Sequence, residues 1–194
     1  MAYRFRAFGV GCDYPEGWRV QIVPTKTFSD ENGVVRFDDM RPGNVGNVTV
    51  TLSWETASVQ DDFVQKYLDN VERQYQKKMK KRCRVLSREH IVCNGHPAGK
   101  VHALMQASTH VLRPFGKPIS LEILQIVYHC GQSGQIIMGT VTAEQGYFEK
   151  NRDVLQEMLN SIRCHEVIDS PLLVQAGGVE QSGSEEAEEQ ENAV

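Results

Sequence analysis

Near the start of the chain, Tyr3, Phe5 and Ala7 alternate with Arg4 and Arg6. A period of two is the pattern of a half-buried strand, so Tyr3 to Val10 is predicted as one strand, paired with the next strand along the chain. Tyr14-Pro15-Glu16-Gly17 is a turn signal, and Trp18 to Val23 alternates again until Pro24 ends the run. Gly33 to Phe37 predicts a short third strand, closed by Asp38, Asp39 and the Arg41-Pro42-Gly43-Asn44 turn. The β-branched residues Val48, Thr49, Val50 and Thr51 place a fourth strand over Val48 to Trp54.

The period then changes. Val59, Phe63, Tyr67, Val71 and Tyr75 recur every four residues with Val64 and Leu68 alongside, which predicts a long amphipathic helix. Ser58 stands at the N-cap position with Asp61 and Asp62 in the first turn, and cations gather toward the other end, as the helix dipole favours. From Arg84 the period returns to two. Strands are predicted over Arg84 to Cys93, His96 to Ser108, Ser120 to Cys130 and Gln135 to Thr142. They are joined by Asn94-Gly95, the proline-bearing stretch Arg113 to Pro118, and Gly131-Gln132-Ser133-Gly134. Short connections of this kind make an antiparallel meander. A final helix is predicted from Gln145 to Arg163, with Phe148, Leu155, Met158, Leu159 and Ile162 on its apolar face.

Composition adds little to this picture except at the C-terminus. With 194 residues, 40% of them hydrophobic and 24% charged, the chain has room for one ordinary soluble domain. Residues 169–194 hold seven of the 25 acids and no Lys or Arg, so the net charge of −4 leaves residues 1–168 at +3. Residues 1–168 are therefore assigned to the domain and 169–194 to an acidic tail. From Gln175 onward Gly, Ser, Gln and Glu leave almost nothing to bury, and disorder is expected. The start of the sequence lacks the apolar run of roughly 7–15 residues of a secretion signal, so a cytoplasmic setting is expected. Five cysteines, Cys12, Cys83, Cys93, Cys130 and Cys164, without CxxC spacing are expected as free thiols in that setting.

Four features occur in a fixed order. They are the Tyr14-Pro15-Glu16-Gly17-Trp18 turn, a helix after the fourth strand, a hairpin with Asn94-Gly95-His96-Pro97-Ala98, and a last helix running from Leu155 through Leu159 to Ser161-Ile162. In these the chain resembles the PsbP/Mog/DcrB-like superfamily over roughly residues 3–166. That superfamily includes the PsbP extrinsic subunit of photosystem II, a Mog-type factor that binds the Ran GTPase, DcrB-like proteins and adaptor chaperones of type VI secretion effectors. The resemblance implies an α/β fold of the α+β type. Its centre is an antiparallel sheet of about six to eight strands flanked by two main helices in a Mog/PsbP-like α/β/α sandwich. It also implies action by binding other proteins. The sequence lacks the transit peptide of PsbP and the lipid-attachment cysteine of lipoprotein members, which argues against a photosynthetic or envelope role.

Reactive chemistry is harder to find. There is no Gly-x-Ser-x-Gly, and Pro42-Gly43-Asn44-Val45-Gly46-Asn47 lacks the Lys-Ser/Thr of a phosphate loop. The pairs Asp38-Asp39 and Asp61-Asp62 fit loop and helix-start chemistry. Neighbours on a strand face opposite sides, so His129-Cys130 and Cys164-His165 each offer at most one ligand to any one site. His90, His96, His102 and His110 lie on two strands joined by the Asn94-Gly95 turn and are taken as surface or cross-strand residues. No catalytic residue, cofactor-binding residue, metal ligand or cofactor is predicted. The charge anomaly is the run Arg73, Lys77, Lys78, Lys80, Lys81, Arg82 and Arg84, a surface for an acidic protein partner or another polyanion. It lacks the interleaved aromatics of a single-strand nucleic-acid platform, which disfavours nucleic acid.

The sequence therefore predicts a non-enzymatic protein-binding adaptor or chaperone-like domain with another protein, or a second copy of itself, as partner. A small-ligand or metal-dependent enzyme with a site between sheet and helices is the alternative, and polyanion binding through residues 73–84 the second.

Overall fold

The computed structural model describes residues 2–23, 27–59, 62–79, 82–107 and 118–165. The acidic tail, Asp61, Lys80, Lys81, His110 and the Arg113 to Pro118 connection up to residue 117 lie outside them. In chain order the elements are β1 (Ala2–Ala7), β2 (Val10–Pro15), β3 (Trp18–Ile22), β4 (Asn32–Asp39) and β5 (Val48–Thr56), followed by α1 (Phe63–Met79). After these come β6 (Cys83–Cys93), β7 (His96–Ala107), β8 (Ile119–Cys130), β9 (Gln135–Glu144) and α2 (Gln145–Asn160).

β3 to β9 form one seven-stranded sheet in the order β3-β4-β5-β9-β8-β7-β6, antiparallel throughout. The meander β6 to β9 agrees with the pattern of the sequence. Asn94 and Gly95 both take positive φ, 49° and 77°, the two-residue turn that matches the twist of the flanking strands. The first predicted strand is corrected. β1 stops at Ala7, the chain reverses at Phe8-Gly9, and β1 and β2 make a separate two-stranded hairpin. Phe8 has φ 51° and Gly9 φ 79°. Gly9 is a turn residue that supplies its positive φ without strain, but the alternation on either side of it masks that signal, and Phe8 carries none; Phe8 stacks edge-on against Phe28, 5.2 Å between ring centres.

One face of the sheet is covered by α2 and this hairpin. Val35, Phe37, Val50, Leu52, Trp54, Leu124, Ile126, Tyr128, Ile137 and Val141 are buried beneath Phe148, Leu155, Met158, Leu159 and Ile162, with Phe5 and Tyr14 packed on Phe37. Gly139 of β9 lets α2 approach closely: a Cβ there would lie 2.2 Å from Ile162 Cδ1. The helix ends at Asn160, short of the predicted Arg163, because Arg163 is drawn into a two-way backbone pair with Gly11 (3.0 and 2.8 Å). Ser161 accepts the Asp13 amide at 2.8 Å and pins the hairpin beside it.

The other face carries α1, which packs on β6, β7 and β8 through Leu68 and Val71 against Val101. It begins at Phe63, so Ser58 and Val59 precede it and Ser58 does not cap it. Asp38 and Asp39, predicted as loop residues, are the buried end of β4. Asp39 accepts from Arg41 at 2.7 and 2.9 Å, Tyr147 Oη at 2.7 Å and Asn44 Nδ2 at 2.9 Å. Among the described residues no helix is long and apolar enough to cross a membrane.

Seven strands at about 4.8 Å spacing make a sheet about 29 Å wide, and a helix about 10 Å across shields two or three of them. α2 and the hairpin together cover one face. α1 alone cannot cover the other.

Candidate functional site

The uncovered half of that second face is built by β4, β5 and β9. Strict alternation along β5 sends Val50, Leu52 and Trp54 to the core and Thr49, Thr51 and Ser53 to the opposite side. They pair with Thr142, Thr140 and Met138 of β9, all half-buried. Among the described residues no helix lies over these strands. Where the half-face meets the start of α1 it deepens into an open trough of about 890 Å³, lined by Val34, Ser53, Phe63, Tyr67, Ile136 and Met138. A shallower depression of about 380 Å³ continues along α1 past Lys66 and Asn70.

The floor is held in place by polar contacts. Tyr67 donates its hydroxyl to Gln125 Oε1, and Gln125 Nε2 donates to Thr140 Oγ1 at 2.8 Å and Met138 Sδ at 3.0 Å. Burial pushes the Tyr67 phenol above its ordinary range, with Tyr75 adding to the effect, so it stays a donor at neutral pH. At the trough's end the Trp54 indole lies flat against the backbone of Gly33, where any Cβ would sit 2.2 Å from the ring, and Trp54 Nε1 donates to Ser29 O at 2.8 Å. The trough thus offers aromatic and aliphatic walls, hydroxyls at strand spacing, and a fixed floor. Such a surface suits an extended peptide with an apolar anchor. Among the described residues no acid and base converge in it.

The basic run lies elsewhere. Arg73 and Lys77 are exposed on the last turns of α1, Lys78 is in the same turns, and Arg82 and Arg84 are exposed at the start of β6. Lys80 and Lys81 fall outside the described residues. The histidines diverge as well. His90 bonds Gln65 Oε1 on α1 at 2.8 Å, whereas His102 points to the opposite face, where it pairs with the buried Glu122 and stacks on Phe148.

One grouping overturns the sequence reading. His96, at the start of β7, Cys130, at the end of β8, and Cys164 and His165, just after α2, bring four donor atoms within 4.8 Å of one another. Cys164 Sγ lies 3.2 Å from His96 Nε2 and 3.0 Å from His165 Nδ1, which is 3.5 Å from Cys130 Sγ. The opposite-faces rule fails for Cys164-His165 because these residues are not in a strand. They come after the Gly11–Arg163 pairing in a bend, where consecutive side chains are free to turn to one side. It holds for His129-Cys130, which contributes Cys130 alone. The sequence feature that bears on it is the Asn94-Gly95-His96 turn, read only as a hairpin with His96 as a surface or cross-strand residue; it puts His96 at the end of the sheet where β8 also finishes.

Both sulfurs are fully buried and both imidazoles half-buried. Burial raises the Cys130 thiol, but hydrogen bonds from Ser133, Cys164 and His165 outweigh it and bring it down to about 7. Burial, reinforced by Cys130, raises Cys164 to about 12. Burial and the neighbouring His165 and His129 lower His96, which keeps its ring neutral. Among the described residues these four side chains are the set able to hold a metal ion.

No protein-family model and no curated protein sequence matches the chain. Solved structures do. Cyanobacterial PsbP from Synechocystis superimposes with a TM-score of 0.62 at 11% identity, over 84% of this chain and 92% of that one. The Ran-binding protein Mog1p of Saccharomyces cerevisiae gives 0.54 at 11%, over 84% and 95%. LpqN of Mycobacterium tuberculosis, involved in cell envelope biogenesis, gives 0.50 at 10%, over 84% and 85%. The chain has the PsbP/Mog-like fold, as its turn and helix order implied.

Proposed function

We propose that this PsbP/Mog-like domain is a non-catalytic protein-binding module, an adaptor or chaperone-like unit, that seats an extended segment of a partner in the trough beside α1. The observation that carries this is the half-covered sheet: Thr49, Thr51, Ser53, Ile136 and Met138 present a solvent-facing floor next to Phe63 and Tyr67. A Ran-binding protein on the same fold supports a protein as partner. An apolar side chain of the segment fits against Phe63, Tyr67, Ile136 and Met138, and its backbone is within reach of the threonine hydroxyls. A cytoplasmic setting agrees with five unpaired cysteines.

A photocrosslinking amino acid at Met138 or Thr51, with the exposed α2 position Val154 as control, tests this in cells. Adducts to discrete proteins from 138 and 51 but not from 154, abolished by Ile136→Arg, are expected. Equal labelling from Val154 would overturn the reading. Adducts that survive Ile136→Arg but vanish in the Arg73→Glu, Lys77→Glu, Arg82→Glu variant would move the binding surface to the basic run.

A further inference from the structure

The geometry points to a structural zinc site formed by His96 Nε2, Cys130 Sγ, Cys164 Sγ and His165 Nδ1. With bonds of about 2.3 Å to sulfur and about 2.05 Å to nitrogen, tetrahedral zinc sets its donors about 3.6 Å apart for a sulfur and a nitrogen. The same bond lengths give about 3.8 Å for two sulfurs and about 3.3 Å for two nitrogens. The three sulfur–nitrogen separations here are 3.0, 3.2 and 3.5 Å, and no pair in the set exceeds 4.8 Å. Donor separations need to change by about 0.1–0.6 Å for these three pairs and by no more than about 1–1.5 Å for any pair at the 4.8 Å limit, which is within the reach of side-chain rotation.

The donor chemistry selects the metal. Two sulfurs with two imidazoles in a compact cluster suit zinc, whereas magnesium and calcium take oxygen. Four protein donors leave no position for substrate, so the site is structural.

The surroundings fit metal-bound thiolates. Asn94 Nδ2 donates to Cys164 Sγ at 3.2 Å. The Tyr128 hydroxyl is buried beside Cys164, Cys93 and Cys130, with Cys164 the sulfur it faces as a hydrogen-bond partner, and its ring stacks on His96 at 5.7 Å. A thiolate at Cys164 would be a stronger acceptor for that hydroxyl than a thiol is.

Bound zinc would tie three remote stretches together: the β6–β7 turn, the end of β8, and the chain directly after α2. It would fix the point from which the remaining residues depart. This site does not depend on the trough, which lies on the other face of the sheet.

The full chain, reduced with a phosphine and stripped of metal, is titrated with Co2+ and then Zn2+. One equivalent of cobalt should develop the intense visible bands of a tetrahedral ion with sulfur-to-metal charge transfer, and one equivalent of zinc should bleach them. Cys130→Ser and Cys164→Ser should abolish those bands, and Cys93→Ser should leave them. Asn94→Ala should weaken affinity roughly 10–100-fold, as loss of a hydrogen bond to a ligand does. Because buried cysteine variants can misfold, His165→Ala provides the second arm. It is half-exposed at the end of the described chain, and with its circular dichroism unchanged it should lose at least tenfold in affinity. Weak octahedral cobalt spectra in the parent protein, equal affinity in His165→Ala, or a Cys130–Cys164 disulfide with no metal uptake after reduction would each overturn the site.

Discussion

Gly139→Ala is the sharpest test of how α2 closes the core. The added methyl would sit 2.2 Å from Ile162 Cδ1 and 2.8 Å from Leu159 Cδ2, where ordinary carbon contacts are about 3.5–4.0 Å. Both neighbours are buried, at 3% and 0% exposure, so neither can swing into solvent. Relief requires a rotamer change at Ile162 or a shift of the helix end, and overpacking of this kind costs about 1–3 kcal/mol. Restricting the unfolded chain returns about 0.4–1 kcal/mol, since Gly139 does not need positive φ. The net expectation is a loss of about 1–2 kcal/mol in urea unfolding with an unchanged m-value. Ile162→Val removes the offending Cδ1 and alone costs about 0.5–1.5 kcal/mol. The double variant should therefore be more stable than the sum of the two losses by at least about 0.5 kcal/mol. Strict additivity, or a single-variant loss below about 0.5 kcal/mol, would show that α2 does not pack on Gly139 in this way.

The packing and the charges fix three further outcomes. Leu159→Ala, at a fully buried position, should lose about 2–5 kcal/mol in the same assay, and a surface-sized loss would refute its place in the core. Burial works against the Asp39 carboxylate, but its bonds from Arg41 and Tyr147 prevail and take it from 3.8 to about 2. That contribution is present above pH 3.8 and drains away as pH falls toward 2. Asp39→Asn should destabilise at pH 7 by about 1–3 kcal/mol and flatten the stability profile in that window, which denaturation at stepped pH will read. Truncation after Leu173 should leave the melting temperature within about 2 °C, because the removed residues are mostly Gly, Ser, Gln and Glu; a larger drop would mean they dock.

The sequence carries the strands wherever alternation and turn chemistry agree, as in β6 and β7 across Asn94-Gly95. It fails at Phe8-Gly9, where alternation runs on through a glycine that turns the chain and tertiary packing on Phe28 accommodates the phenylalanine beside it, and one predicted strand becomes a hairpin. Helix ends drift for a similar reason. Tertiary pairing with Gly11 claims Arg163, and the N-cap pattern at Ser58 is not used. The cluster of His96, Cys130, Cys164 and His165 joins residues up to 69 positions apart in sequence. Periodicity reports which face a residue takes within its own element; it does not report which elements end side by side.

The open half-face was closer to legible. Along β5, Val48-Thr49-Val50-Thr51-Leu52-Ser53-Trp54 alternates without exception, and along β9 Ile137, Gly139 and Val141 alternate with Met138, Thr140 and Thr142. Strands of this kind are paid for by burial on one side only. In β8, by contrast, Ile123, Leu124, Gln125, Ile126, Val127 and Tyr128 are buried in succession, which requires cover on both sides. A single helix with an apolar stripe will settle where the second side is also apolar. Val101, Ala103 and Ile123 supply that surface, and Gly99 lets Leu68 approach to within 3.1 Å of where a Cβ would be. The threonines opposite Val50 and Leu52 gain nothing from such a helix. Seven strands and two long helices therefore imply an uncovered patch, and the contrast between one-sided and two-sided strands places it on β4, β5 and β9.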